Sequence, residues 1–304
     1  MHRENPLPPE SVMTDSTAPD FLAIGVLTLD VTPEPGNPHG RVRPGGAAAF
    51  AALCAQALGL NVAVVASAAP NYPIETVLPG IDVHLVESNF TTFFQNVYGP
   101  SGTRSQVLGA RASSITLADV PDHWLTTPTV FLGPLVGEVP VGARDWFTDA
   151  AVGATVQGWL RRWDHYGRVT EVAGPPTEMA DPTMSSYRLL VGSKSEFGGS
   201  DEQEIKNWTD HADVLGVTDG KHGVHVYSTG STTDVPGFPA VELDPTGAGD
   251  IWAAACLIRL VETNDPVVAA RFANAAASIS VERDGLSGPA SREEIEMRMA
   301  GGSG

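Results

Sequence analysis

Apolar positions along this chain follow two rhythms, short continuous runs and longer stretches of helical spacing, and their order predicts the elements. Phe21 to Val26 is an apolar run stopped by the turn-prone Thr32 to Gly40 region, as for a first strand feeding a loop. Gly45-Gly46 precedes Ala47 to Leu58, where small residues and Leu recur at helical intervals, and Gly59 ends that helix. Val62 to Ala66 resumes as a strand. Strand, loop, helix, strand opens an α/β domain with a largely parallel sheet.

The middle of the chain changes character. Val83 to Val86, Thr91 to Tyr98 and Thr103 to Leu108 are short, β-branched and aromatic, and read as antiparallel strands of a small sheet, a lid or an edge hairpin. Alternation returns with Thr129 to Leu132, Thr155 to Leu160 and Arg188 to Val191 as strands, and Asp201 to Asp210 as a short acidic helix. Val214 to Thr218 is a strand and Gly223 to Tyr227 its hairpin return. Asp250 to Glu262, Pro266 to Val281 and Ser291 to Ala300 are helices, the last begun by a Ser cap with Glu294 three residues on. Residues 21–82 and 109–300 are thus read as the α/β core and 83–108 as the main lid segment, with 31–43 as a candidate contributor. Residues 1–20, rich in Pro, Ser and acids, read as a loose leader.

Composition narrows the classes. With 304 residues, 42% hydrophobic, the chain can bury a substantial core. Thirty-six acids against 18 bases give a net charge of -18, and no basic stripe suited to nucleic acid is visible. Cys54 and Cys256 sit in alanine-rich apolar segments and read as buried thiols. No apolar stretch reaches membrane-spanning length, so the expectation is a cytoplasmic protein with no membrane partner. The scattered histidines form no zinc pattern, and neither a Walker element nor a Gly-x-Gly-x-x-Gly signature is present.

The chemistry concentrates at Asp244-Pro245-Thr246-Gly247-Ala248-Gly249-Asp250, followed at once by the apolar run Ile251 to Leu260. A small-residue turn at a helix start exposes backbone N–H groups to an anion, and Asp250 stands where a carboxylate could take a proton from a hydroxyl beside it. The plainer alternative is a capped helix behind a tight turn. Thr218 to Gly223 follows a strand, and its glycines would let a nucleotide lie over the turn, with Lys221 meeting a phosphate; a solvated strand-to-strand turn is the alternative. Ser193 and Glu196 follow another strand, where Glu196 could organise a divalent cation through water or simply belong to a cap. Asp30, Gly45 and Gly46 suit the approach of a polyol, although Asp30 could merely form a turn. In the lid, Phe93, Asn96 and Arg104 mix an apolar face with polar donors, and Arg104 could instead pair with an acid.

Taken in order, Gly25 to Asp30, Gly45-Gly46 with its helix, Thr218 to Gly223, Asp244 to Asp250 and Ala273 to Val281 resemble the ribokinase-like, or PfkB, family of carbohydrate kinases across most of residues 21–290. That resemblance implies a three-layer α/β/α core with a small β-sheet lid, and ATP-dependent phosphorylation of a sugar or nucleoside hydroxyl. It implies Asp250 as base, with Gly247, Ala248 and Gly249 steadying the transferring group. Thr218, Gly220, Gly223 and Thr246 would border ATP, Asn274 would lie near the adenine, and Asp30, Gly45 and Gly46 would contact the acceptor. Mg2+ would accompany the nucleotide, held through phosphates and water. Some members place a monovalent cation such as K+ near the turn corresponding to Asp244. Two departures stand out: Ser193 occupies the usual Asn position of an Asn-x-x-Glu element, and Asp219 puts an acid beside the nucleotide loop. Thr91 to Tyr98, Gly102 to Gln106 and Gln157 to Arg161 are similar to inositol-kinase-like members, which favours a neutral sugar or polyol acceptor. A nucleoside kinase and a non-catalytic sugar-binding regulator of the same fold are the alternatives, and the lid's sheet offers a homodimer contact.

Overall fold

The computed structural model describes residues 18–34, 37–98, 104–199 and 202–301. In chain order its strands are β1 (Phe21–Val26), β2 (Thr28–Glu34), β3 (Asn37–Gly45), β4 (Val62–Ala68), β5 (Asp82–Glu87), β6 (Thr92–Tyr98), β7 (Arg104–Ala110), β8 (Thr129–Leu132), β9 (Ala151–Thr155), β10 (Arg161–Trp163), β11 (Val169–Glu171), β12 (Leu189–Ser193), β13 (Val214–Thr218), β14 (Gly223–Ser228) and β15 (Ser231–Pro236). The helices are α1 (Ala47–Ala57), α2 (Ile74–Val77), α3 (Gln157–Leu160), α4 (Glu202–Thr209), α5 (Ala248–Thr263), α6 (Pro266–Ser280) and α7 (Arg292–Gly301).

Nine strands form one sheet in the order β15-β14-β13-β12-β9-β8-β1-β4-β5. Pairing is parallel from β13 to β5 and turns antiparallel only at β14 and β15. All six residues of β1 are buried, because a central parallel strand is covered on both faces. Its side chains alternate between two cores. Phe21 and Ala23 pack with α1, α5 and α6, whose alanines let the helices approach closely. Leu22 and Ile24 face Trp124, Phe147, Tyr187 and Trp208 on the other side. Among the described residues, that second layer holds α4 as a helix of two turns, the rest being the single turn α3 and short 3-10 segments, and large aromatic rings fill the depth that longer helices would occupy. Removing one of the fully buried rings, as in Phe147→Ala, would cost about 3–5 kcal/mol.

A second sheet of four strands, ordered β3-β2-β6-β7, grows from the carboxyl end of β1, with only Leu27 between β1 and β2. The segment Thr32 to Gly40, read from its prolines and glycines as a loop, contributes the end of β2 and the start of β3 here; its residues 35 and 36 lie outside those described. Val83 to Val86, expected in the lid, instead belong to the edge of the main sheet. Val83 and Leu85 pack on the α1 core, and β5 runs parallel to β4. Thr91 to Tyr98 pairs parallel to β2 as well as antiparallel to β7. Thr155 to Leu160, expected as a strand, divides into the end of β9 and the helical turn α3. Of the expected leader, residues 1–17 lie outside those described.

The chain leaves β1 for the small sheet and returns through α1 to β4 and β5 on one side of it. It visits the small sheet again before laying down β8 on β1's other side. This reversal of winding opens a crevice at the carboxyl end of β1, beneath the small sheet, where ligands bind in open α/β sheets.

Candidate active site

The crevice is a cavity of about 360 Å³ whose floor carries the carboxyl ends of β9, β12 and β13, the start of α5 and the entry to α1, and whose roof is the lid. At α5 the local sequence dictates the geometry. Gly247 caps the helix with φ +75°, a left-handed conformation, and a Cβ there would stand 2.3 Å from the Phe50 ring. Ala248 N–H closes the turn on Pro245 O at 3.2 Å, and Ile251 N–H makes the first bond back to Gly247 O at 2.9 Å. Between them the N–H groups of Gly249 and Asp250 have no helical acceptor, as first-turn donors lack one. A Cβ on Gly249 would meet open space, so nothing in the fold requires glycine there; only a close approach from the cavity would.

Asp250, the third residue of α5, is half-buried and opens onto the cavity. Burial is the main force on its carboxyl and pushes it up to about 7; the Arg161 guanidinium pulls it down and Glu196 pushes it up. Asp244, at the head of the turn, goes the other way. Burial raises it, but the Thr246 side chain and N–H, the Gly285 N–H and Arg43 together hold it below the usual carboxylate range.

Glu196 is buried, with Oε2 accepting from Ser193 N–H at 2.6 Å and Oε1 from Gln157 Nε2 at 2.9 Å. Ser193 Oγ accepts from Glu196 N–H at 3.4 Å, so Ser193 substitutes for the expected Asn by capping its own turn. Thr218 lines the cavity and bonds Gly192 O at 3.3 Å. Asp219 is engaged by Lys194 at 3.3 Å, which offsets its charge in the turn after β13. Thr246, Gly247, Gly249, Asp30, Gly46 and Asn96 all line the cavity.

Other expected residues lie elsewhere. Asn274 is buried, accepting from Trp252 Nε1 at 2.7 Å and donating to Val235 and Pro236 carbonyls at 3.0 Å; both ends of its amide are committed to holding α5 and β15. It is therefore not poised to meet an adenine. Gly223 is required by the hairpin, since a Cβ would stand 2.2 Å from Val235 O, while Gly220 and Lys221 are exposed outside the cavity. Phe93 is replaced by its neighbour. Alternation along β6 turns Phe93 outward against Gly109 and points Phe94 inward beneath the Arg161 guanidinium, 5.3 Å from its ring centre. Gly45 backs Asp30 and Thr28 rather than lining the cavity, and Ala248 is likewise set back. Arg104 opens β7 opposite Tyr98, but its side chain lies outside those described.

Three structural features around the site were given no role by the sequence reading, although Asn96 and the segments of Gln106 and Arg161 were singled out there. Arg161, buried at the start of β10, donates to Gln106 Oε1 at 3.1 Å. Gln106 donates to Asn96 at 3.1 Å and Asn96 to Thr32 at 2.9 Å, a polar row across the lid's inner face. Arg43, on β3, reaches over the cavity to Asp244 at 3.1 Å and to Asp284. Buried Glu138, its carboxyl raised chiefly by burial, accepts from the N–H groups of Val26, Leu135 and Val136 and ties the loop after β8 to the end of β1. The Arg161-Arg162 pair was the available signal for the first; the other two are long-range.

Comparison with known proteins gives this geometry relatives. The model of the pfkB family carbohydrate kinases matches residues 178–293. The ribokinase of Bacillus subtilis (strain 168) is 46% identical over 84 residues, 27% of this chain and 28% of the ribokinase. The inositol 3-kinase of Arabidopsis thaliana is 37% identical over 97 residues, 32% of this chain and 26% of that protein. In these matches the chain spans less than a third of either relative. Solved structures extend the likeness over the whole fold. A pyrophosphate-dependent kinase of the ribokinase family, complexed with a pyrophosphate analogue and myo-inositol, has a TM-score of 0.75 at 21% identity, covering 91% of this chain and 99% of that one. The Arabidopsis thaliana ribokinase complexed with ribose and ATP has a TM-score of 0.70 at 20% identity, covering 93% and 99%. The chain therefore has the ribokinase-like fold, and its residues 178–293 match the model of the pfkB family of carbohydrate kinases.

Proposed function

We propose that this protein transfers the γ-phosphoryl group of ATP to a hydroxyl of a small neutral sugar or polyol, with Asp250 as general base. The observation that carries the reading is the placement of Asp250: a carboxyl near neutral pKa, open to the cavity, beside two unbonded helix N–H groups and beneath a polar lid. A base titrating near working pH suits proton removal from an alcohol. Asp250 takes the hydroxyl proton as the oxygen forms its bond to the γ-phosphorus, and the bond from phosphorus to the β,γ-bridging oxygen breaks, leaving ADP. The N–H groups of Gly249 and Asp250 hold the oxygens of the phosphoryl group in flight. Glu196 lines the cavity with lone pairs left over and fits the role of holding Mg2+ through water; that ion, when bound, supplies charge neutralisation to the phosphates.

A neutral acceptor suits the lid's row of amides and hydroxyls and the acids Asp30 and Asp250. A nucleoside would want an open aromatic face, and Phe94 already lies under Arg161. One observation favours a second donor. Asn274 is committed internally, and similarity extends to pyrophosphate-dependent kinases, so inorganic pyrophosphate is a donor to test beside ATP. The test is product formation from inositols, pentoses, hexoses and nucleosides with ATP or pyrophosphate and Mg2+. Transfer to a polyol that is abolished in D250N supports the reading. Sugar binding without transfer from either donor overturns it in favour of a regulator.

A further inference from the structure

The turn that presents the anion site is itself held by a cation, and that cation is part of the chain. We propose that Arg43, carried on lid strand β3, is a positioning residue that serves as the built-in counter-ion of Asp244, so that this protein works without a soluble monovalent cation.

The geometry leaves little for a free ion to do. Asp244 Oδ2 accepts from Arg43 Nη1 and from Gly285 N–H, each at 3.1 Å, and Oδ1 accepts from Thr246 N–H at 3.0 Å. A hard cation binds through the lone pairs of carboxylate and carbonyl oxygens, and on Asp244 three N–H donors already face them. A second positive charge beside the guanidinium would also be repelled. The residues at this turn therefore do not fit the monovalent ion that the family resemblance suggested. Arg43 pairs in addition with Asp284, next to Gly285, so one guanidinium joins the lid, the turn before α5 and the loop after α6. Arg43 and Asp244 are 201 residues apart, and the charge arrives only when β3 lies over the cavity. The anion turn is thus completed by the lid, and a donor would meet its final shape only in the closed form.

The activity arm rests on the kinase reading; the stability arm does not. The purified wild type, R43A and R43Q are compared in choline chloride, potassium chloride and millimolar guanidinium chloride at equal ionic strength. The first measurement is the melting temperature, and the second is tripolyphosphate affinity and initial rate with ATP. The wild type is expected to melt and turn over equally in choline and potassium. R43A should lose about ten- to a hundredfold in tripolyphosphate affinity and in kcat/KM for ATP, the range for a lost charge-assisted contact, and should recover part of both with guanidinium. R43Q keeps the stem and a hydrogen-bonding head, and gives the same comparison if R43A does not fold. A wild type that potassium stabilises or activates would overturn the proposal. So would a folded variant with unchanged tripolyphosphate affinity. If the wild type transfers no phosphoryl group at all, the kinase reading fails, while melting and tripolyphosphate binding still decide the role of Arg43.

Discussion

Asp250 is an acid made weak by its surroundings, and that weakness has consequences for both rate and stability. Burial dominates, lifting its carboxyl to about 7, with Arg161 opposing and Glu196 assisting. A base must be ionised, so kcat/KM for the acceptor should rise with unit slope as pH increases towards about 7 and level off above it. Arg161 is the group that lowers this carboxyl, so R161Q should move the rising limb to higher pH, which a pH–rate profile reads directly. Stability runs the other way. A carboxyl raised in the folded state holds its proton more tightly there than when unfolded, so stability falls as pH rises from about 4 to about 7. D250N removes that loss: it should be more stable than the wild type at pH 8, by on the order of 4 kcal/mol, and match it near pH 4. Equal melting at both values would contradict the assignment. Asp250 was legible in the sequence because its turn, helix start and apolar run are contiguous. Arg43 was not, because its partners lie some 200 residues downstream and nothing local marks an arginine on a short strand as a bridge.

Helix α5 begins with two glycines that look alike in sequence and differ in what they do. Gly247 has a left-handed backbone and the Phe50 ring against it, so G247A should destabilise the protein by about 2–4 kcal/mol. Gly249 has ordinary helical space around it, and G249A should leave the melting temperature unchanged or slightly raised, since Ala favours a helix by up to about 1 kcal/mol. Its methyl would nonetheless stand where a phosphoryl group must approach, so kcat should fall at least tenfold, a loss of about 1.4 kcal/mol of transition-state stabilisation. Thermal melts beside initial rates separate the two glycines; a G249A enzyme of full activity would remove the anion role from this turn. Strand parity is the element-scale lesson. Phe93 and Phe94 are equivalent in composition, and only pairing with β2 and β7 decides which ring faces the cavity. The β2–β3 hairpin was missed for a related reason: prolines and glycines signal loops, but here they lie in a small sheet that tolerates a register shift at Thr32 to Glu34.

The two sheets differ in how they are held. The main sheet is buried on both faces through its centre, and its alternation of apolar runs made it readable from the chain. The lid is one layer, tied down by the Arg43 pairs, by Arg161 through Gln106, and by the Leu108 N–H bond to Gly167 O at 2.7 Å in the loop between β10 and β11. The amide row from Gln106 to Thr32 faces the cavity where an acceptor would join it. Few contacts and one open face make a unit that opens at lower cost than the core. Amide hydrogen exchange should therefore be faster in β6 and β7 than in β1 and β4, and an acceptor should slow it in the lid while leaving the central strands unchanged. N96A and Q106A should raise the acceptor KM about tenfold, each removing a charge-free hydrogen bond worth about 1 kcal/mol and the order of its neighbour, with kcat nearly preserved. The same variants should lose the acceptor's protection of the lid. Protection retained in N96A and Q106A would mean that the acceptor is held by the core alone, and that the lid closes over it without reading its hydroxyls.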